Sequence, residues 1–373
     1  MLDYLLDIQR VRQYFNQAVR AEMVLRATRA DLRVLDRFRH GLLPLPFDRP
    51  APVVDPFPPF VTRSSRGLEG LRVAVIASGG SGALASVVGV ARALEERGVR
   101  PVAYGVCSGS AFFGVPLAAG MAAAEVAAEV LALRPRDYVD PDWWGLALAP
   151  LRLGRGWSGL IRGDAMESVC RRILGDVTLG ELPVPVWLPV LGIEDDLVEY
   201  LGPDSHPDLP AARAIRLALG LPVAVRPAEL DGSWWLDGGI VDILPAQPFV
   251  TRDLCDLAIV VNGFYRAGFV PDREPRWRES TLSILHMANQ ARTMQHVRIA
   301  RHGLDDLRRS VPEVIELAPV DYARVQGAGL YAEFLDNRRW AGYMADGYRS
   351  AAAVLCAREQ AAGRTPPATR RTT

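Results

Sequence analysis

The chain has 373 residues, of which 49% are hydrophobic and 23% charged, the proportions of a globular protein with a large buried core. Its 43 basic and 43 acidic residues leave a formal net charge of zero, which argues against nucleic acid as a partner, because phosphate binding needs a basic excess. Four cysteines, Cys107, Cys170, Cys255 and Cys356, lie far apart with no C-x-x-C pair, so the sequence holds no disulfide framework and no zinc site, and a reducing cytoplasmic setting is expected.

The opening stretch MLDYLLDIQRVRQYF lacks the apolar core of a signal peptide. It repeats Leu5, Ile8, Val11, Phe15 and Val19 at helical spacing, so residues 1–43 are expected to form a helical segment. Packing on the main domain, pairing in a homodimer and peripheral contact with a membrane are all open to it; Asp3, Asp7, Glu22, Asp31 and Asp36 weigh against the last. Seven prolines between Pro44 and Pro59 make residues 44–66 a linker or an extended strap.

From residue 67 the pattern changes to short apolar strands alternating with helices. Strands are expected at 71–78, 102–107, 184–193 and 256–264. Helices are expected from Ala83 to the capping Gly98, and at 121–133, 164–174, 281–308 and 336–359. The two charge-free stretches, Val73–Ala91 and Pro101–Ala124, are broken by Gly and Ser and read as buried strand, turn and helix rather than as membrane spans. The alternation implies an α/β fold with a mainly parallel central sheet covered on both faces. Residues 67–275 would hold its core, 276–360 would supply helices completing it, and 361–373 would be a disordered tail.

Three segments carry candidate chemistry. Ser78 to Gly82, SGGSG, follows the first strand at a helix start, where backbone N–H groups can converge on an anion or an acyl oxyanion. A dinucleotide site is disfavoured because this segment after the first strand does not read G-x-G-x-x-G. The second segment, YGVCSGS, places Cys107 midway between Gly105 and Gly109 in the strand–turn–helix context of a nucleophile elbow. A helix N-terminus there would favour the reactive thiolate. Ser108 and Ser110 are rivals by residue type, but neither is centred between glycines. In the third segment, WWLDGGIVDILPA, Asp237 ends a short strand, where a carboxylate can serve as a general base or merely cap a turn. His40, His206, His286, His296 and His302 have no comparable context; no metal-ligand spacing appears and no cofactor is expected.

These segments, in this order, resemble the patatin-like phospholipase family, from residue 71 to about 265. The resemblance implies a three-layer α/β/α hydrolase fold, here with helical N- and C-terminal appendages. It also implies acyl hydrolase activity, with Cys107 in the nucleophile's place, Asp237 as the dyad base, and Gly79, Gly80 and Ser81 forming the oxyanion hole. Ser81, Ala83 and Leu84 stand where the family usually has Gly, a basic residue and Gly. An acyl-Cys107 intermediate would be a thioester, which leaves three readings: hydrolysis of an ester, thioester or lipid, acyl transfer or cyclisation, and a non-catalytic member of the fold. Residues 134–163, with Trp143, Trp144 and Trp157, read as a lid or substrate mouth, or as packing over the elbow helix.

Overall fold

The computed structural model describes residues 54–194, 197–263, 283–320 and 333–364. The expected N-terminal helix, the start of the proline-rich segment and the end of the tail lie outside them.

The first half of the core runs β1 (Val73–Ala77), a 3-10 turn (Ser81–Ala85), α1 (Ser86–Glu95), β2 (Ala103–Val106) and α2 (Gly109–Ala118). Every residue of β1 and β2 is buried, as a parallel strand covered on both faces requires. The chain then builds a peripheral layer of α3 (Ala123–Leu131), α4 (Pro135–Tyr138), α5 (Trp143–Arg152), β3 (Gly159–Ile161) and α6 (Asp164–Leu174). It returns to the sheet through β4 (Val186–Gly192) and β5 (Val198–Leu201), then passes through α7 (Ala211–Ala218), β6 (Val223–Val225), β7 (Ala228–Leu230) and β8 (Ser233–Asp237). The last part holds α8 (Gln247–Thr251), β9 (Leu257–Val261), α9 (Ser283–Ser310), β10 (Glu313–Leu317) and α10 (Trp340–Arg364).

The strands order as β10-β9-β1-β2-β4-β8-β7, with β5 also paired to β4. The run from β10 to β4 is parallel, and β5, β8 and β7 join antiparallel. The fold is therefore α/β with a mainly parallel sheet. From β1 the chain proceeds first to one side, through β2, and later to the other, through β9. The carboxyl end of β1 is thus a point where strand order reverses, the usual place for a ligand crevice in such sheets.

Alternation along the strands divides the core. Val73, Val75 and Ala77 face one hydrophobic cluster beneath α1, α2 and α10, whereas Ala74 and Ile76 face a second beneath α8 and α9. On the first face α1 and α10 touch backbone to backbone. A Cβ on Gly89 would strike the Met344 carbonyl, and one on Gly347 would strike the Ser86 carbonyl. Residues 54–66 run without regular structure over this layer. They are held by Arg92, whose guanidinium lies 5.7 Å from the Phe57 ring centre and 4.5 Å from that of Phe60. The Arg63 N–H donates to the Glu96 carbonyl at 2.6 Å, so this part of the proline-rich segment is a strap on the domain.

The four expected strands and the five expected helices are present. Unexpected were β5, β7, the short pair β3–β6, and β10, whose Glu313 and Glu316 interrupt an apolar edge strand. α10 also continues to Arg364, past the start of the expected tail.

Candidate functional site

The turn after β2 decides which side chain can act. Period-two alternation sends Tyr104 and Val106 to one face and Ala103 and Cys107 to the other, so Cys107 completes the strand pattern and belongs to the second core cluster. It has no exposed surface, and its Sγ lies 3.6 Å from the Asp242 carbonyl oxygen. A Cβ on Gly239 would come within 2.9 Å of this sulfur, and one on Gly79 within 3.4 Å, so glycine backbone seals it. Burial pushes the thiol well above its usual pKa, and the Asp237 and Asp242 charges add to the rise. The group is an inert core thiol.

One residue on, Ser108 has φ 52° and ψ −129°, a backbone conformation that non-glycine residues rarely adopt, and caps the N-terminus of α2. This is where the chain reverses from strand to helix, and the half-buried Ser108 side chain lies on the wall of a cavity of about 470 Å³. Ser110 is fully buried and belongs to the turn: its hydroxyl accepts the Cys107 N–H at 2.8 Å and lies 2.8 Å from the Cys107 carbonyl oxygen. Gly109 is required by close approach, because a Cβ there would strike the backbone of Ser81. The absence of that atom lets the loop after β1 lie against the elbow.

Asp237 comes to the same point from the end of β8, and is 1% exposed. Its Oδ1 accepts the Gly239 N–H at 2.8 Å, which fixes the carboxyl at the head of the 3-10 turn Gly238–Ile240. Its Oδ2 is buried without a well-aligned hydrogen bond. Burial pushes the carboxyl up to about 6, opposed first by the Ser108 hydroxyl beside it and then by the Gly239 N–H. Deprotonated above that value, and facing a serine hydroxyl, the group can accept a proton.

The loop after β1 supplies donors. The N–H groups of Gly80 and Ser81 have no partner among the described residues, and Ser81 itself has φ 59° and lines the cavity with Ser108. Gly79 differs, since its N–H donates to the Ile243 carbonyl at 2.8 Å. The rest of the cavity wall is almost wholly apolar, with Leu146, Leu160, Met166, Leu219, Val223 and Phe334 among its residues. Ser108 and Ser81 thus line one apolar pocket, with the raised-pKa carboxyl of Asp237 beside Ser108 and the open Gly80 N–H next to Ser81, an arrangement suited to acyl transfer.

Residues 74–250 match the family model for patatin-like phospholipases. They form a patatin-like domain. Uncharacterized NTE family proteins of Mycobacterium tuberculosis and Mycobacterium bovis are 31% identical to the chain over 249 residues, which is 64% of this chain and 62% of theirs. The match therefore spans less than two thirds of these relatives. Among solved structures, VipD from Legionella pneumophila is similar at 14% identity and a TM-score of 0.39, covering 77% of this chain and 67% of that one.

Within the patatin-like domain, the residues expected from sequence fall into two groups. Asp237, Gly80, Ser81 and Gly109 come together around the cavity or its turn. Cys107 and Gly79 lie close by, but the thiol is sealed and the Gly79 N–H is already bonded. Gly105 is no part of the elbow. It is a β2 residue paired with Ile76 and Trp187, where a Cβ would come within 2.7 Å of the Phe249 ring. Of the three tryptophans, Trp143 lines the cavity; Trp144 is exposed and Trp157 packs against Gly145, both outside its wall. The glycine frame Gly105–Gly109 centres on position 107, whereas Ser108, a rival by residue type, is the residue at the turn. Alternation along the buried strand gives Cys107 the last inward position, which leaves Ser108 to make the turn.

Proposed function

We propose that the protein is an acyl ester hydrolase acting on lipid-like substrates through a Ser108–Asp237 dyad. The observation that carries this reading is the Ser108 backbone, at φ 52° and ψ −129° on the cavity wall beside the raised-pKa carboxyl of Asp237. The patatin-like domain at residues 74–250 supports the class of reaction.

In this reading an acyl chain lies in the apolar cavity with its ester carbonyl at Ser108. The Ser108 oxygen attacks the carbonyl carbon as its proton passes to Asp237, and the carbonyl oxygen becomes an oxyanion facing the N–H groups of Gly80 and Ser81. Collapse breaks the bond to the leaving alcohol, which takes the proton from Asp237. A water then attacks the acyl-serine ester, giving its proton to Asp237, and the acid departs as the Ser108 hydroxyl is restored. The intermediate is an ester rather than a thioester, so the leaning toward transfer that sulfur would bring is absent. Hydrolysis is favoured over transfer or cyclisation.

The test is intact-mass analysis with a fluorophosphonate and with p-nitrophenyl esters. The wild type and Cys107→Ala should each gain one adduct and turn over ester, while Ser108→Ala should gain none and lose at least about 10³-fold in kcat/KM. An adduct that survives in Ser108→Ala and vanishes in Cys107→Ala would return the role to the thiol.

A further inference from the structure

One cationic side chain lies against the same apolar cavity. Arg216, on α7, is 2% exposed and lines the cavity together with Gly163, whose lack of a side chain leaves room for the guanidinium. Its Nη2 donates to two backbone carbonyls, that of Arg162 at 2.5 Å and that of Arg226 at 2.8 Å. Its Nε and Nη1 are buried without a partner.

No carboxylate among the described residues pairs with it. Asp140 is engaged by the N–H groups of Gly163, Asp164 and Ala165, and lies 3.8 Å from Arg162. Asp142, the carboxylate on the cavity wall, caps α5 by accepting the Gly145 N–H at 2.9 Å. Burial lowers the Arg216 pKa, the sign of a cation held away from water, and Asp140 and Asp164 offset this only at a distance. An unpaired buried cation costs several kcal/mol, and unmet donors add to that. Two carbonyl bonds account for the guanidinium's anchoring but leave its charge unanswered.

We propose that Arg216 is the anion-recognising residue of this cavity, which takes amphiphiles bearing a carboxylate or a phosphate in preference to neutral ones of the same chain length. The inference rests on the reading of the cavity as the substrate site and adds its charge selectivity. An anionic group reaching Nε or Nη1 would replace the missing partner with a charge-assisted hydrogen bond in a water-poor setting.

Calorimetric titration of the full chain with dodecyl phosphate, dodecanoate and dodecanol, each below its aggregation concentration, tests this without needing turnover. The wild type and Ser108→Ala should bind at least one of the two anions about tenfold or more tighter than dodecanol. A preference for dodecyl phosphate alone assigns a phosphate site, for dodecanoate alone a fatty-acid site, and for both a general anion site. Arg216→Gln should bring the affinities together, while Arg216→Lys keeps a preference. Because Arg216 also ties down two carbonyls, Arg216→Gln is checked for folding by circular dichroism. If it fails to fold, the arginine Nε–H resonance missing from Arg216→Lys should shift with the preferred anion and stay put with dodecanol. Equal affinities in the wild type, an unchanged preference in a folded Arg216→Gln, or an unmoved resonance would overturn the proposal. A wild type that keeps the anion preference but hydrolyses no ester would sink the hydrolase reading and leave this one standing.

Discussion

Two adjacent side chains at the elbow have opposite fates because a strand residue and a turn residue obey different geometry. Cys107 is held by alternation and packing, Ser108 by a backbone conformation costing about 1–3 kcal/mol. Replacing Ser108 by Gly should relieve that strain. Ser108→Gly is expected to unfold at a higher denaturant midpoint than the wild type, corresponding to about 1 kcal/mol of added unfolding free energy, while losing all turnover. A drop in stability would show that the serine conformation is not strained. In the proposed mechanism the carboxyl would set the pH profile. With Asp237 raised to about 6, the base is protonated and idle below that value and ionised above it. The profile of kcat/KM should therefore climb about tenfold per pH unit on the acid side and level off above about pH 6. A limb near pH 4, or a continued rise through the thiol range, would point to another base or to the cysteine.

Among the elements, α5 is the least typical of a folded core. None of its residues is buried, Trp144 and Leu146 are exposed, and Leu151 and Leu153 are 79% and 87% exposed. Leu146 of this helix, with Leu160 and Val223, is exposed on one side and lines the cavity on the other, so the apolar surface runs from solvent into the pocket. No described helix is long and apolar enough to cross a membrane. A patch of this kind suits contact with the surface of a bilayer or micelle. The double variant Leu151→Asp, Leu153→Asp should hydrolyse a short soluble ester at the wild-type rate and lose most activity on vesicle-borne lipid, as read by fatty-acid release. Equal loss on both substrates would mean that α5 shapes the pocket and does not meet a lipid surface. The tryptophans and leucines of this segment read as a mouth or as packing over the elbow helix, and which tryptophan faces inward depends on the Asp142 cap and on Gly145. Neither carries a sequence signal of orientation.

Across the whole molecule, Glu96 joins parts distant in sequence. Fully buried, it lies 3.1 Å from Arg63 of the strap and 3.5 Å from Arg92 of α1, and accepts the Tyr348 hydroxyl of α10 at 2.8 Å. Glu96→Ala would leave Arg92 without its buried counter-charge, and an unfolding free energy lower by about 3–5 kcal/mol is expected in denaturant titration. A change under about 1 kcal/mol would mean that the strap contributes little to the fold. The central strands were plain in the sequence because continuous apolar runs such as VAVIA have one comfortable place, the middle of a parallel sheet. Strands β5, β7 and β10 were not, since edge and antiparallel strands mix charge with apolar residues. The site was half legible. Glycine context pointed to Asp237 and to the loop at Gly80 and Ser81, whereas glycine spacing centred on Cys107 because it does not report which face of a strand a residue ends on. Arg216 could not be found at all, since its isolation depends on segments that meet only in the folded chain.

The sealed thiol beside the elbow has a practical consequence for anyone assaying the protein. Maleimides or iodoacetamide should react with Cys107 only when the glycine walls at Gly79 and Gly239 part, so alkylation there would time the opening of the sheet edge. Such a reagent would abolish activity slowly, and more quickly in mild urea. The loss would mimic a cysteine hydrolase while reporting a breathing motion one residue away from the chemistry.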